Sequence, residues 1–170
     1  IEKLGDAINQ LGNNTAATER NIISVLARVG GTAKQFGLSA KQTAALADAF
    51  LALGKPPEVA ATAINALLLK LQTARVQSKG FQSTLKLLGI DLNQLAQTIQ
   101  SDPQKALNGF LQTLSKLDKQ SQAETLTKLF GQEYSDDIAL LVGSLGQYEK
   151  ALKLVSDESS YAGLVNDEFS

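Results

Sequence analysis

The sequence predicts an all-α protein, a compact bundle of about eight or nine short helices joined by short turns. Three observations carry that expectation. Apolar residues recur three or four apart along almost the whole chain, the spacing of a helix face. No stretch alternates apolar and polar residues long enough to read as a strand. Helix stops and N-caps recur every 10–20 residues, and all 3 prolines sit where a helix can begin.

Taken in order, Leu4, Ala7, Ile8 and Leu11 form a short stripe that Gly12 ends. Ile22, Leu26, Val29, Ala33 and Phe36 follow, running through Gly30-Gly31, where a bend or a close helix contact is expected. Ser39 and Gln42 have the spacing of a capping box for a helix rich in alanine that reaches Gly54. Pro57 fits the first position of the next helix, and Glu58 suits its positive end. From Val59 to about Arg75 that helix is apolar on nearly all sides, which places it at the centre of the fold. Phe81, Leu85 and Leu88 make a short helix ended by Gly89. Asp91 caps a helix with the stripe Leu92, Leu95, Ala96 and Ile99; Asp102-Pro103 opens another with Leu107, Phe110, Leu111, Leu114 and Leu117. Ser121 and Glu124 read as a further capping box, and Gly131 as the stop of that helix. Ser135 reads as the cap of a helix carrying Ile138, Leu141, Val142 and Leu145. Tyr148, Leu152 and Val155 either continue it or form a separate helix. Gly37-Leu38-Ser39 and Gly89-Ile90-Asp91 share one pattern: a left-handed glycine stop, an apolar residue that packs back, and the next N-cap.

At 170 residues the chain is long enough to bury a core without staples, and its 44% apolar and 19% charged content is that of a folded protein. Aromatics are 5%, so the core must consist of Leu, Ala, Ile and Val. The domain is expected to span residues 1–155, with 156–170 an acidic linker and the start of a truncated helix containing Tyr161, Leu164, Val165 and Phe169. A chain without Met that begins at Ile1 reads as a piece of something longer. With neither Cys nor His, disulfides, thiolate chemistry, imidazole bases and nearly every zinc site are excluded.

Net charge is −1 but unevenly spread. Residues 55–90 carry 5 basic side chains against the single acid Glu58, and residues 132–170 carry 2 basic against 8 acidic. Such blocks either form a solvated surface or attract each other within one chain or between copies. Lys55, Lys70, Arg75, Lys79 and Lys86 are too thinly spread, with Phe81 as the one aromatic among them, for direct nucleic-acid binding.

Glu133, Asp136 and Asp137 cluster, but neighbouring helical residues point about 100° apart, and acids at a helix start are explained by the helix dipole. Gly30-Gly31 lacks the spacing and the Lys-Ser/Thr of a phosphate loop. Ser78-Lys79 are adjacent and cannot act as nucleophile and base; they read as surface. The apolar run Val59–Leu71 contains Thr62, Asn65 and Lys70 and falls short of the ~20 residues that span a bilayer. No catalytic, metal-binding or cofactor-binding residue is assigned.

Several blocks, in their order, carry a resemblance. Phe36-Gly37-Leu38-Ser39, Thr43-Ala44-Ala45-Leu46-Ala47, Gly54-Lys55-Pro56-Pro57-Glu58-Val59-Ala60 and Asn65-Ala66-Leu67-Leu68 resemble the core region of phage tail tape-measure proteins. Leu129-Phe130-Gly131-Gln132-Glu133-Tyr134-Ser135-Asp136-Asp137-Ile138 resembles its later block, so the likeness covers roughly residues 20–165. The resemblance implies a non-enzymatic structural protein of a phage or prophage tail. Such a protein occupies the tail lumen, sets tail length, and is assembled in the bacterial cytoplasm. It implies self-association as a small homo-oligomer, with tail-tube subunits and tail assembly chaperones as further partners. No cofactor, specific nucleic acid or stable membrane insertion is expected. The alternatives are a cell-wall hydrolase accessory domain, which needs a cleft with a catalytic Glu, and a membrane-active domain at DNA entry, for which Val59–Leu71 is the candidate segment.

Overall fold

In a computed structural model that describes residues 2–156, with side chains from residue 4 onward, nine consecutive residues from Thr43 to Leu51 are buried. They lie in the alanine-rich helix Ala40–Ala52, which is the third of nine α-helices among the described residues. The helices are α1 Glu2–Asn14, α2 Glu19–Phe36, α3 Ala40–Ala52, α4 Pro57–Gln72, α5 Lys79–Leu87, α6 Leu92–Ser101, α7 Pro103–Ser115, α8 Lys119–Gly143 and α9 Leu145–Ser156, with a 3-10 turn at Ala74–Val76. The all-α bundle expected from the spacing is therefore present. The expected tail helix around Tyr161 to Phe169 lies outside the described residues.

Helix α3, not α4, holds the centre. It packs against α1, α2, α4 and α9, so no side of it faces water over Thr43–Leu51. Ala44, Ala45, Ala47 and Ala49 let those neighbours come close, because a helix surrounded on all sides needs short side chains somewhere around its girth. Leucine-rich α4 buries Ala60, Ala61, Ala63, Ile64, Leu67, Leu68 and Leu71 against α2, α3 and α8, but it exposes Thr62 and half of Leu69. Hydrophobicity alone pointed to α4; side-chain size decides for α3.

The second half of the chain is built around α8, which receives α4, α5 and α7. Phe110 of α7 meets Phe130 of α8 edge to face, with centroids 6.1 Å apart. Then α9 returns to α1 and α3, so the end of the described chain completes the burial of its beginning.

Most helix punctuation is as the sequence predicts. Ser39 and Gln42 form the reciprocal capping box. Asp91 accepts from the Gln94 N–H at 2.8 Å, and Asp102 from Lys105 N–H at 3.2 Å ahead of Pro103. At Gly37 (φ 109°) the N–H groups of both Gly37 and Leu38 donate to Ala33 O, and Leu38 is buried behind the stop. Gly89 (φ 82°) does the same work, with Ile90 N–H donating to Leu85 O at 3.0 Å.

Four boundaries differ. α1 runs past Gly12 to Asn14, because a glycine with helical neighbours lowers helix propensity without stopping the helix. α2 continues unbroken through Gly30-Gly31; both are exposed, and no atom approaches where their Cβ would be, so neither bend nor close contact exists there. α8 starts at Asp118 rather than at Ser121. The Asp118 carboxylate accepts from both the N–H (2.8 Å) and the hydroxyl (2.9 Å) of Ser121, which gives the helix an anionic cap one turn earlier. Those hydrogen bonds hold the Asp118 carboxyl below its ordinary range. Lastly, Ser135 caps nothing. The break in α8 is Gly131 itself (φ 78°, ψ 169°), helix resumes at once, and Ser135 is buried within it. Ser144 separates α9 from α8, which resolves the open alternative in favour of a separate helix.

The two glycine stops give a direct comparison. A Cβ at Gly37 would stand 2.9 Å from Pro103 Cγ, whereas one at Gly89 meets nothing within 4 Å. Both alanine variants carry the left-handed cost of about 1–2 kcal/mol. Gly37→Ala is expected to lower the urea midpoint clearly more than Gly89→Ala, because the proline ring must also move; equal shifts would show that the α2–α7 contact is slack.

Candidate functional site

The acid cluster singled out in sequence does not converge. Glu133 and Asp136 are exposed, while Asp137 turns inward and pairs with Lys55 at 2.8 Å. Among the described residues no group of three or more Asp and Glu side chains is arranged to hold a metal ion. The Lys55–Asp137 pair joins the turn between α3 and α4 to the second half of α8.

The basic residues also have structural uses. Lys70 donates to Leu129 O at 2.9 Å and lies 5.8 Å from the centre of the Phe81 ring. Leu129 stands just before the Gly131 break, where the helical ladder leaves carbonyls without their usual partners. Lys70 therefore acts as a C-cap supplied by another helix. Arg75, Lys79 and Lys86 are exposed. Ser78, read in sequence as surface, is the N-cap of α5 and accepts from Phe81 N–H at 3.2 Å.

Three polar features were missed by the sequence reading. Asp48 is fully buried in α3; Thr15 donates its hydroxyl to one carboxylate oxygen, and the other has no partner among the described residues. Burial pushes its pKa up to about 6, against the opposing pull of the Thr15 hydrogen bond and the Lys150 charge. Asp6 of α1 is likewise buried with one unpartnered oxygen among the described residues. Tyr148 of α9 is buried, and its hydroxyl accepts from Gln104 Nε2 at 2.6 Å; burial raises its pKa. The signal for Asp48 was in the sequence: it is a lone acid inside the apolar run from Ala44 to Leu51.

Lined in part by Gln104 is an open groove of about 790 Å³ along α6 and α7. Ile90, Leu95 and Phe110 form its apolar part, and Gln94, Gln104, Asn108 and Gln112 supply amides. Its two carboxylates, Asp91 and Asp102, are already committed to capping α6 and α7. The arrangement offers a surface for hydrogen bonding and apolar contact. It brings together no nucleophile and base, and the one cation lining it is Lys105.

Residues 1–131, which run from α1 to the break in α8, match phage-related minor tail proteins. The chain belongs to that family. A protein of Halomonas phage phiHAP-1, described as a "probable tape measure protein", is 33% identical to it over 161 residues. That similarity covers 95% of this chain but 19% of the relative, so the minor tail protein chain spans about a fifth of that relative's length. No solved structure matches it.

The buried acid gives a pH dependence whose sign is fixed. The folded-state pKa of about 6 exceeds the ordinary 3.8, so folded protein binds the proton more tightly. The resulting stabilisation is complete below about pH 4 and is lost as pH rises through 6, up to about 3 kcal/mol for the whole span. Urea unfolding of wild type and Asp48→Asn from pH 8 to pH 4 is expected to give a difference that swings toward wild type by that order. Parallel curves would show that Asp48 is not buried as a charge.

Among the three clustered acids the effects should be unequal. Asp137→Ala breaks the half-buried pair with Lys55 and is expected to cost about 1 kcal/mol in chemical denaturation. Glu133→Ala and Asp136→Ala, at exposed positions, should each cost less than about 0.5 kcal/mol.

Proposed function

We propose that this chain is a folded, non-catalytic assembly domain of a tape measure, the protein that occupies the tail lumen and sets tail length. The observation that carries the reading is the 161-residue similarity to a protein described as a tape measure, over 95% of this chain. The geometry supports it. Among the described residues, the carboxylates of Asp91, Asp102 and Asp118 cap helices and that of Asp137 is paired with a lysine, so they serve the fold. The partners proposed are further copies of the chain, tail-tube subunits and tail assembly chaperones, met in the host cytoplasm during assembly. No helix among the described residues is long and apolar enough to cross a membrane, and Val59–Leu71 is used to pack α4 into the core.

A ruler converts residue number into length, at about 1.5 Å per residue if it is helical. Removing residues 91–117 in frame would shorten such a ruler by about 40 Å. These residues form α6 and α7, which bury Leu95, Ile99, Leu107, Phe110, Leu111 and Leu114. Their loss uncovers α8, so misassembled or tailless particles are expected. Electron microscopy of phage carrying the deletion checks this; infectious particles with tails uniformly shorter by about 40 Å would overturn the folded-domain reading.

A further inference from the structure

Two exposed patches of opposite charge remain unpaired, and each carries at least one exposed large apolar side chain. No acid occurs from residue 59 to 90, and no base from 129 to 149. Within these stretches Lys70 is engaged by the Leu129 carbonyl and Asp137 by Lys55. That leaves Arg75, Lys79 and Lys86 on one side and Glu133, Asp136 and Glu149 on the other, all exposed and without an ion pair among the described residues. Lys79 and Lys86 are seven residues apart on α5 and share its outer face. Beside them stand Val76, 81% exposed, and Leu87, 86% exposed. On α8, Glu133, Asp136 and Leu140 recur at three and four residues on one face, and Leu140 is 43% exposed. Three of the five exposed large apolar side chains thus sit in these two charged patches.

We propose that these patches form an interface between copies of this chain, with the basic ridge of Ala74–Val76 and α5 in one copy lying on the acidic strip of α8 in another. Charge complementarity selects the occupant. A second copy brings an acidic face with its own exposed leucine to a basic face with an exposed valine and leucine. Within the chain, α5 packs on α8, yet the described residues of the two patches form no ion pair with each other. Exposed charge pairs are individually weak, so the association is reversible and salt-sensitive, and the apolar side chains supply the contact that charge orients. The proposal deepens the functional reading, on which it rests only for the presence of further copies. Its test is made in solution and does not depend on tail morphology.

The experiment is sedimentation velocity of the 170-residue chain at about 0.05 M and about 0.5 M salt. Wild type is expected to associate at low salt and to weaken about tenfold or more at high salt. The double variants Lys79→Glu with Lys86→Glu, and Glu133→Lys with Asp136→Lys, should each be monomeric, with helical circular dichroism like wild type. Mixed in equal amounts, they should associate again, because each swapped patch then meets its complement. A wild-type chain that stays monomeric overturns the proposal, as does binding of the basic ridge to anionic vesicles in place of a second copy. Association of either double variant alone at wild-type strength, or failure of the mixture to associate, also overturns it.

Discussion

The fold depends on one steric constraint: α3 is enclosed on every side by α1, α2, α4 and α9. Four neighbours can converge on one helix only if its own side chains are short on some faces, and Ala44, Ala45, Ala47 and Ala49 meet that need. Leu46 and Phe50 fill what remains. Because the enclosure is complete, Asp48 on this helix cannot reach water. Its burial is tolerated through Thr15, which follows the end of α1 and donates to it. The polar pin therefore joins the same elements that the alanines bring together. Enclosure also explains the return of α9, which covers α3 and seats Tyr148 in the interior.

The second half is organised by the break in α8. Gly131 takes a conformation (φ 78°) that side chains with a Cβ avoid, and the direction of the helix changes there. Two polar ties flank it: Lys70 of α4 holds Leu129 on one side, and Lys55, in the turn before α4, holds Asp137 on the other. The family match covers residues up to this glycine, while α9, which lies beyond it, completes the core. A folded unit built from residues 1–131 alone would leave α3 uncovered on the α9 side.

Four of the described carboxylates are committed to the fold. Capping consumes Asp91, Asp102 and Asp118, and pairing consumes Asp137. What the surface offers instead is contact: an amide-lined groove beside Gln104, and charged patches with exposed Val76, Leu87 and Leu140. These features fit the interaction role proposed for the chain, which belongs to the family of phage-related minor tail proteins.

The sequence by itself determined the class of fold, most helix boundaries and the lack of residues for imidazole or thiolate chemistry. These are local matters: caps at Ser39, Asp91 and Asp102 and stops at Gly37 and Gly89 act within one turn, so a few adjacent residues specify them. Where local signals competed, the reading failed. Asp118 and Ser121 both fit a cap, and a carboxylate that accepts two hydrogen bonds prevails over a hydroxyl. Only the tertiary structure decided which helix is central, that Asp48 is interior, that Gln104 meets the buried Tyr148 hydroxyl, and that Lys70 and Lys55 reach α8. Each of these depends on residues far apart in the chain, as in Lys70 with Leu129 and Gln104 with Tyr148. Apolar content told which faces must be covered; the volumes of the side chains in three dimensions settled what covers them.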